Sequence, residues 1–275
     1  MRAEPRRIAL LGWPARHSLS PAMHNAAFRA LGLPFEYRAL DVPPTRLVEE
    51  LLELREQAFA GANVTLPHKQ AVLPLCDEVD ELALRVGAVN TLVHRDRRLV
   101  GSNTDVGGVR QALAEAEVDL RGARVLILGS GGAARAAAVA VHLAGGLMAV
   151  VAREVDRAAS IAKEAYPWEA AALLRAVRDA RVVINAAAAG MEDQAPPCEV
   201  PLECAPPDAV IFDLVYRPLE TPLLAAARRL GLGTIDGTRM LLHQGAESFR
   251  AWTGHDPPLD VMEAAIADAL QRGAV

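Results

Sequence analysis

The segment RVLILGSGGAAR, which runs from Arg124 to Arg135, decides the fold of this chain. Its apolar run, Val125 to Leu128, is too short for a globular helix and predicts a buried strand of a parallel sheet. Gly129, Gly131 and Ala134 follow with the spacing G-x-G-x-x-G/A, in which the glycines allow a tight turn and let a pyrophosphate approach the backbone. An alanine-rich helix comes next, and its N-terminal N–H groups would face that anion. The segment therefore predicts a dinucleotide site, with a glycine turn that serves packing alone as the alternative.

A second apolar run, Leu147 to Ala152, completes a strand-helix-strand unit, and the residues after it bear on the choice of dinucleotide. Arg153 and Arg157 could hold the 2′-phosphate of NADP, whereas an NAD site normally has Asp or Glu here for the ribose hydroxyl. The alternative is that both arginines are solvated and paired with Glu154 and Asp156. The two arginines favour NADP.

Composition bounds the function. With 275 residues, of which 52% are hydrophobic and 23% charged, the chain has the composition of a globular protein of one or two domains. A net charge of −5 gives no reason to expect nucleic acid or a membrane surface as a partner, and no apolar run has the length of a transmembrane helix. Three widely separated cysteines, Cys76, Cys198 and Cys204, predict a reducing, cytoplasmic setting. The seven histidines lack metal-ligand spacing, so we expect no metal site.

The order of predicted elements indicates two domains. Strands and helices alternate from Ile8 to Leu66, and a second alternating series begins at the glycine-turn strand, which predicts two α/β domains that meet at a cleft. In the first half, Pro67 is expected to begin a helix with Lys69 in its first turn. In the second half, Asp156 to Tyr166 is expected to form a helix.

Polar residues collect at the predicted strand ends and helix starts of the first half. In open α/β sheets the carboxyl ends of strands bind ligands, so these side chains could converge on one crevice and bind a polyhydroxylated, carboxylated small molecule. Each also has a structural interpretation: a serine can cap a helix, an asparagine can form a turn, and a lysine can be solvated. The set consists of Ser18, Ser20, Asn63, Thr65, Lys69, Asn90, Asn103, Thr104 and Asp105.

Lys69 is the candidate for the chemical step. Hydride transfer to a ketone leaves an alkoxide that must be protonated, and a lysine in a cleft can supply that proton. A carboxylate would hold its ammonium group in place, and Asp105 is the expected partner.

Seven motifs together resemble the shikimate dehydrogenase family over nearly the full length of the chain, and they follow in the family's order. They are HSLSP (17–21), NVTLPHK (63–69), GAVNT (87–91), NTD (103–105), GSGGAAR (129–135), DLVY (213–216) and GTRMLLHQG (237–245).

The resemblance implies an α/β fold of two domains, an N-terminal substrate domain and a Rossmann-type NADP-binding domain, with C-terminal helices that return to the substrate domain. The implied ranges are 1–104 for substrate binding and catalysis, 105–237 for NADP binding and 238–275 for the C-terminal helices. It also implies NADPH-dependent reduction of 3-dehydroshikimate to shikimate in aromatic amino-acid biosynthesis, by a monomer or homodimer.

The resemblance further implies roles for individual residues. Lys69 and Asp105 match the catalytic pair. The implied substrate-binding residues are Ser18, Ser20, Asn63, Thr65, Lys69, Asn90, Asp105, Tyr216 and Gln244. The implied cofactor-binding residues are Gly129, Ser130, Gly131, Gly132, Ala133, Arg153, Arg157, Asn185, Ala186, Leu214, Gly237 and Met240.

The chain departs from the family pattern on the cofactor side. The family usually has Asn-Arg-Thr where this chain has Ala152-Arg153-Glu154, and NATSxG where this chain has NAAAAG at 185–190. The first change removes two polar partners of the ribose phosphate and adds a negative charge, which predicts weaker NADP binding or weaker discrimination of NADP from NAD. The second change removes hydroxyl groups. Two other functions stay open: an NAD-using quinate/shikimate dehydrogenase, which Glu154 would suit, and a non-catalytic dinucleotide-binding sensor, against which Lys69 and Asp105 argue.

Overall fold

A computed structural model describes residues 5–56, 59–191 and 195–273. The chain divides into two units, the first comprising residues 1–104 with 241–275 and the second residues 105–240. Residues 1–4, 57, 58, 192–194, 274 and 275, which belong to the ranges implied by the resemblance, lie outside the described residues.

Strands and helices alternate along the first half of the chain. In chain order they are β1 (Arg6–Gly12), α1 (Ser20–Ala30), β2 (Phe35–Asp41), α2 (Leu47–Glu56), β3 (Phe59–Val64), β4 (Glu78–Val79), α3 (Glu81–Val86), β5 (Thr91–Arg95) and β6 (Arg98–Ser102). The strands form one sheet in the order β2-β1-β3-β5-β6-β4. Strand β1 is parallel to both β2 and β3, while β5 is antiparallel to β3 and to β6.

This topology collects several chain segments at one edge of the first sheet. Asn63 near the end of β3 pairs with Thr91 at the start of β5, and Thr91 pairs with Ser102 at the end of β6. The residues just before β5 and just after β6 therefore lie beside the carboxyl ends of the parallel strands, which is where ligands bind in open α/β sheets.

The second unit contains an all-parallel sheet. Its elements are α4 (Asp105–Glu115), β7 (Arg124–Leu128), α5 (Gly132–Leu143), β8 (Leu147–Ala152), α6 (Val155–Ala159), β9 (Glu164–Pro167), α7 (Ala170–Arg178), β10 (Val182–Asn185), β11 (Val210–Asp213), α8 (Pro222–Arg229) and β12 (Gly233–Ile235). The strand order β12-β11-β10-β7-β8-β9 is the 3-2-1-4-5-6 order of the Rossmann fold read from the other end. Leu126, Val183 and Ile211 are fully buried in its core, so the apolar strands predicted for a parallel sheet are confirmed.

Two helices end the chain, α9 (Gly237–Thr253) and α10 (Leu259–Gln271). Helix α10 packs on α1, and the indole Nε1 of Trp252 in α9 donates a hydrogen bond to the Leu92 carbonyl of β5 at 2.9 Å. Gly61 of β3 leaves room for this indole, because a Cβ there would lie 2.6 Å from Trp252 Nε1. From Leu241 onward, the C-terminal helices thus belong to the first unit.

The helix predicted from Pro67 is wrong: the chain forms irregular turns between β3 and the short 3₁₀ segment Leu73–Leu75. The carbonyl of Lys69 accepts a hydrogen bond from the Val89 N–H at 2.8 Å, so it is committed to another segment rather than to the next helical turn. The His68 ring, which is buried, donates from Nε2 to the Val42 carbonyl at 2.6 Å. The bond from Val89 therefore replaces the bond that the Lys69 carbonyl would accept in a helix.

The helix predicted over Asp156 to Tyr166 is also wrong. It ends at Ala159, and Glu164 to Pro167 form β9, which pairs with Ala149 to Ala152 of β8. The reason is that β8 would otherwise present unpaired backbone groups along its free edge, and a parallel strand satisfies them.

In the described part of the chain, no helix combines the length and the apolar character needed to span a bilayer. Within those same residues, no group of three or more His, Cys, Asp or Glu side chains is arranged to hold a metal ion.

Candidate active site

A carboxamide pair lies at the ligand-binding edge of the first sheet. Asn90, just before β5, donates from Nδ2 to Gln244 Oε1 of α9 at 3.4 Å, although the two residues are 154 positions apart. Asn90 also donates to Thr104 Oγ1 at 2.9 Å and accepts from the Thr104 N–H at 2.8 Å. Both carboxamides are buried. Asn90 is therefore part of a buried polar cluster rather than only a turn residue.

Asn63 lies beneath this pair, and its amide is bonded on both sides within the protein. Its Nδ2 donates to the Asn90 carbonyl, to Thr91 Oγ1 and to Ser248 Oγ, each at 3.1 Å. Its Oδ1 accepts from the Tyr37 hydroxyl at 2.7 Å. Asn63 thus lies at the centre of the cluster and is hydrogen-bonded to the backbone of Asn90.

Tyr37, Thr91 and Ser248 belong to this cluster, and the sequence reasoning missed all three. Tyr37 stacks on the ring of His24 with centroids 4.6 Å apart. Complete burial lowers the pKa of His24 to about 3, so the ring is neutral near pH 7. Tyr37 and Thr91 lie in strands and Ser248 lies in a helix, but a buried hydroxyl in a regular element has no sequence signal of its own.

Ser18 and Ser20 lie together in the loop that leads into α1. Ser18 Oγ donates to Ser20 Oγ at 3.1 Å and accepts from the Ser20 N–H at 3.2 Å. The interpretation of Ser20 as a helix cap is wrong, because the cap position is Leu19 and Ser20 is the first helical residue. Asp41 holds this loop, because its Oδ1 accepts a hydrogen bond from the Ala15 N–H at 2.6 Å. This backbone hydrogen bond is the main reason that the pKa of the Asp41 carboxyl is lowered.

Thr65 and Lys69 lie in the turns after β3, both half-buried. The backbone of this segment is tied to β1, since the Thr65 N–H donates to the Leu11 carbonyl at 2.9 Å. Together with the bonds of His68 and Lys69 described above, this holds the turn in one conformation. Asn103, by contrast, donates to the Ala88 carbonyl at 2.8 Å, as expected of a structural residue.

Asp105 and Tyr216 belong to the second unit. Asp105 is buried at the start of α4, and Tyr216 is half-buried after β11. Lys69 and Asp105 thus come from different units, and their pairing stays a prediction.

The glycine turn between β7 and α5 has the features that a pyrophosphate needs. Gly129 has φ +113°, and a Cβ there would lie 3.0 Å from the Ala186 carbonyl oxygen and the Ala187 nitrogen, so only glycine fits. Gly131 is the N-cap of α5, has no side-chain cap, and faces open space within 4 Å of its missing Cβ. The first turn of α5, which includes Gly132 and Ala133, carries no acidic residue. Uncapped N–H groups and open space fit an anion.

The residues after β8 are exposed, as a ligand-binding end of a strand requires. Arg157 forms an ion pair with Glu154, with Nη1 and Oε1 3.2 Å apart. For Arg157 the structure therefore shows the pairing with Glu154 given above as the alternative to phosphate binding. Arg153 donates from Nη2 to the Ala195 carbonyl at 3.3 Å and lines a cavity of about 440 Å³ with Trp168.

A buried carboxylate joins the loops after β10 and β11. Asp213, which is fully buried, accepts at Oδ1 from Asn185 Nδ2 at 2.8 Å and from the Val215 N–H at 3.0 Å. Its Oδ2 accepts from the Thr221 hydroxyl at 2.7 Å. Asn185 also donates to the Ala189 carbonyl at 2.8 Å, so its side chain shapes the loop that contains Ala186.

The backbone after β11 packs on the start of α9. A Cβ at Gly237 would lie 2.5 Å from the Leu214 carbonyl oxygen, so this glycine is needed for the close approach. Met240 is buried in the same helix. The structure therefore connects the loop after β11 to the first turn of α9.

Burial raises the pKa of Asp213 to about 6, against the opposing effect of the hydrogen bonds from Thr221, Val215 and Asn185. The folded protein therefore binds this proton more tightly than the unfolded chain does. The contribution of this group to stability is complete at pH values below the ordinary pKa of 3.8 and is lost as the pH rises through about 6.

These features define a two-domain α/β protein with a Rossmann-type dinucleotide-binding domain. Residues 10–92 match the family model for the shikimate dehydrogenase substrate binding domain, and residues 237–267 match the model for the shikimate 5′-dehydrogenase C-terminal domain. The chain is 44% identical over 274 residues to the shikimate dehydrogenase (NADP(+)) of Moorella thermoacetica, an alignment that covers 96% of this chain and 93% of the relative. The chain belongs to the shikimate dehydrogenase family, and the resemblance carried by the motifs is confirmed.

Solved structures agree with this assignment. The shikimate 5-dehydrogenase from Thermus thermophilus in complex with NADP(H) and shikimate is similar with a TM-score of 0.87 and 43% identity, over 96% of this chain and 99% of that chain. The quinate dehydrogenase from Corynebacterium glutamicum in complex with NAD is similar with a TM-score of 0.85 and 34% identity, over 96% of this chain and 99% of that chain. The predicted fold class is confirmed.

The first prediction concerns Asp213. Asparagine is nearly isosteric with aspartate but does not ionise. The free energy of unfolding of Asp213→Asn, measured relative to the wild type at the same pH, should therefore increase as the pH rises from 4 to 7. The difference between a pKa of 3.8 and one of about 6 corresponds to about 3 kcal/mol in the free energy of unfolding. Denaturant unfolding of both proteins at pH 4, 5, 6 and 7 measures this.

The matched control is Asp208→Asn, which changes an exposed carboxylate 3.9 Å from Arg181. It should leave the pH dependence of the wild type unchanged. Stability curves of wild type and Asp213→Asn that run parallel from pH 4 to 7 would contradict the assignment of a raised pKa.

Proposed function

We propose that the protein catalyses the reversible, NADPH-dependent reduction of 3-dehydroshikimate to shikimate, a step of chorismate and aromatic amino-acid biosynthesis. The observation that carries the proposal is the buried pair of carboxamides, Asn90 and Gln244, at the ligand-binding edge of the first sheet. Neutral amides suit a substrate whose ring carries hydroxyl groups, because each amide offers both a donor and an acceptor. Residues 1–104 form the substrate-binding domain in this proposal, and residues 238–275 complete it.

The proposed substrate contacts follow the family motifs. Ser18, Ser20 and Tyr216 bind the carboxylate, with Thr65 beside them. Asn90 and Gln244 orient the ring hydroxyls, and Asn63 completes this set. The 3.1 Å distance between the two serine hydroxyl oxygens supports the first assignment, because neighbouring hydroxyls can both turn their protons toward one anion when it binds in place of their mutual hydrogen bond.

Lys69 is the proposed proton donor and Asp105 its partner. When bound, NADPH supplies the hydride that adds to the carbonyl carbon. The carbonyl π electrons then go to the oxygen, which takes a proton from the Lys69 ammonium, and the amine left behind regains a proton from solvent. The Asp105 carboxylate holds the ammonium group in place.

The composition of the chain supports this role for Lys69. Of 29 basic Lys and Arg residues only two are lysines, Lys69 and Lys163. Arginine keeps its proton in proteins, whereas lysine can release one, so a proton donor is a position where arginine cannot replace lysine.

Residues 105–237 form the proposed NADP-binding domain. The N–H groups of the glycine turn would hold the pyrophosphate, and Arg153 and Arg157 would hold the 2′-phosphate. The remaining proposed contacts are backbone and apolar, which accords with the loops that Asp213 and Gly237 hold in place. They are Gly129, Ser130, Gly131, Gly132, Ala133, Asn185, Ala186, Leu214, Gly237 and Met240.

A second candidate function is an NAD-using quinate/shikimate dehydrogenase. The ion pair between Glu154 and Arg157 favours it, because the carboxylate occupies one of the two arginines and repels a 2′-phosphate. Oxidation rates for shikimate and quinate with each nicotinamide cofactor separate the two functions.

Small molecules are the proposed partners, and we propose neither nucleic acid nor a membrane among them. The three free cysteines accord with the reducing cytoplasm, and a monomer or homodimer is expected.

The second prediction tests Lys69. Lys69→Ala should lower kcat for shikimate oxidation by about 10² to 10⁴, the usual contribution of a positioned acid or base, while NADP⁺ still binds. Lys69→Arg should be impaired to a similar degree, because arginine keeps the charge but does not exchange the proton. Steady-state kinetics and calorimetric titration of NADP⁺ measure both effects.

The control for this prediction is Lys163→Ala, which removes the other lysine at an exposed position and should leave kcat unchanged. Wild-type turnover in Lys69→Ala would refute the role of Lys69.

The third prediction concerns cofactor preference. Glu154→Gln and Glu154→Thr should each raise the ratio of kcat/KM for NADPH to that for NADH by about three- to tenfold, because an exposed ion pair and a nearby like charge have effects of that order. The ratio is insensitive to the amount of folded enzyme.

Asp156→Asn provides the comparison, since it removes the same charge two residues away. A ratio that changes as much in Asp156→Asn as in Glu154→Gln would mean that net charge, and not the pairing with Arg157, sets the preference.

A further inference from the structure

Three buried hydroxyls meet behind the carboxamide pair, and each comes from a different part of the first unit. Thr91 belongs to β5, Thr104 follows β6, and Ser248 belongs to α9. Ser248 Oγ lies 2.8 Å from Thr91 Oγ1 and 3.2 Å from Thr104 Oγ1, and the two threonine oxygens are 3.3 Å apart. Thr91 and Ser248 are completely buried.

Backbone groups decide which way the two carboxamides point. The Thr104 N–H can only donate, and it lies 2.8 Å from Asn90 Oδ1, so the other end of this amide, Nδ2, must face Gln244. The Leu241 carbonyl can only accept, and it lies 2.8 Å from Gln244 Nε2, so Gln244 Oε1 must face Asn90. The orientation of both amides therefore follows from the main chain.

Ser248 is the common acceptor of this arrangement. The single hydroxyl proton of Ser248 points to the backbone carbonyl oxygen of Gln244 at 3.0 Å, because that oxygen can only accept a hydrogen bond. Toward Asn63 Nδ2, which can only donate, Ser248 Oγ acts as an acceptor at 3.1 Å. Ser248 Oγ can also accept a hydrogen bond from the hydroxyl of Thr91 or of Thr104. The other acceptor within reach of these hydroxyls is Asn90 Oδ1, which lies 3.1 Å from Thr91 Oγ1 and 3.3 Å from Thr104 Oγ1.

We propose that Ser248 is a positioning residue for substrate recognition: by accepting hydrogen bonds from the Thr91 and Thr104 hydroxyls, it steadies the Asn90 carboxamide in the orientation that the main chain sets, beside Gln244, where the two amides bind the ring hydroxyls. Without its oxygen, both threonine hydroxyls turn to Asn90 Oδ1, which already accepts the Thr104 N–H. Asn63 also loses one of its acceptors. The Asn90 amide is then no longer held in one position, and the substrate must order it on binding. The inference rests on the proposed function, because it takes the ring hydroxyls as the ligand.

The fourth prediction tests this role. In the full-length enzyme, Ser248→Ala should raise the Kd of shikimate by about three- to tenfold, the effect of one neutral hydrogen bond, while the Kd of NADP⁺ stays within about twofold of the wild type. Calorimetric titration of each ligand alone measures both constants, and kinetics should show a higher KM for shikimate with little change in KM for NADP⁺.

A pair of variants at Thr91 tests the same hydroxyl cluster without a change at Ser248. Thr91→Val removes the hydroxyl at nearly constant volume and should weaken shikimate binding as Ser248→Ala does. Thr91→Ser keeps the hydroxyl and should bind shikimate as the wild type does.

Thr253→Ala is the matched control on the same helix. Thr253 Oγ1 donates to the backbone carbonyl of Phe249 at 2.8 Å, four residues earlier in the helix, just as Ser248 donates to the backbone carbonyl of Gln244. Thr253 lies outside the hydroxyl cluster. It should leave both dissociation constants unchanged.

Three results would overturn the proposal. The first is an unchanged Kd of shikimate in both Ser248→Ala and Thr91→Val. The second is an equal loss of affinity for shikimate and NADP⁺ in Ser248→Ala, and the third is an equal loss of shikimate affinity in Thr253→Ala, since either would show a general effect on stability. A wild-type enzyme that binds NADP⁺ but neither binds nor oxidises shikimate would instead refute the proposed function itself.

Discussion

The return of helix α9 to the first sheet is the constraint on which the candidate site depends. Several hydrogen bonds make the connection, among them Asn63 Nδ2 to Ser248 Oγ at 3.1 Å, between residues 185 positions apart, and Trp252 Nε1 to the Leu92 carbonyl at 2.9 Å, between residues 160 positions apart. Gly61 admits the indole, and α10 packs on α1 beside it. Without this return, Gln244 would have no reason to lie beside Asn90, and the ligand-binding edge would lack one of its two carboxamides.

The two units stabilise their polar centres in different ways. In the first, amides and hydroxyls of neutral side chains satisfy one another, so the cluster is buried without the cost of removing a charge from water. In the second, the Asp213 carboxylate joins two loops through bonds from Asn185, Val215 and Thr221, and burial raises its pKa to about 6. A neutral cluster accords with recognition of hydroxyl groups. A buried acid accepts three donors at once, which suits a junction between loops.

The proposed cofactor side combines a strict requirement on the backbone with exposed side chains. The glycine turn retains what the backbone must provide, namely a positive φ at Gly129 and an uncapped helix start at Gly131. The exposed residues after β8 include Glu154, which pairs with Arg157. Backbone recognition of a pyrophosphate tolerates no side chain, whereas recognition of the ribose substituent uses exposed side chains on a short helix. Sequence change is therefore easier at the second place than at the first.

The sequence by itself determined the strand-turn-helix at Gly129, the two alternating α/β series and the motif positions such as Ser18, Lys69 and Asn90. Each of these depends on local spacing, which reflects hydrogen bonds and burial within one or two elements. Only the tertiary structure decided that Lys69 lies in a turn, that residues Glu164 to Pro167 form a strand, and that Tyr37, Thr91 and Ser248 complete the cluster. The Lys69 carbonyl bonds to Val89, and β9 exists because β8 has a free edge. In each case the deciding partner lies elsewhere in the chain or along a sheet edge, and packing, not local pattern, brings it there.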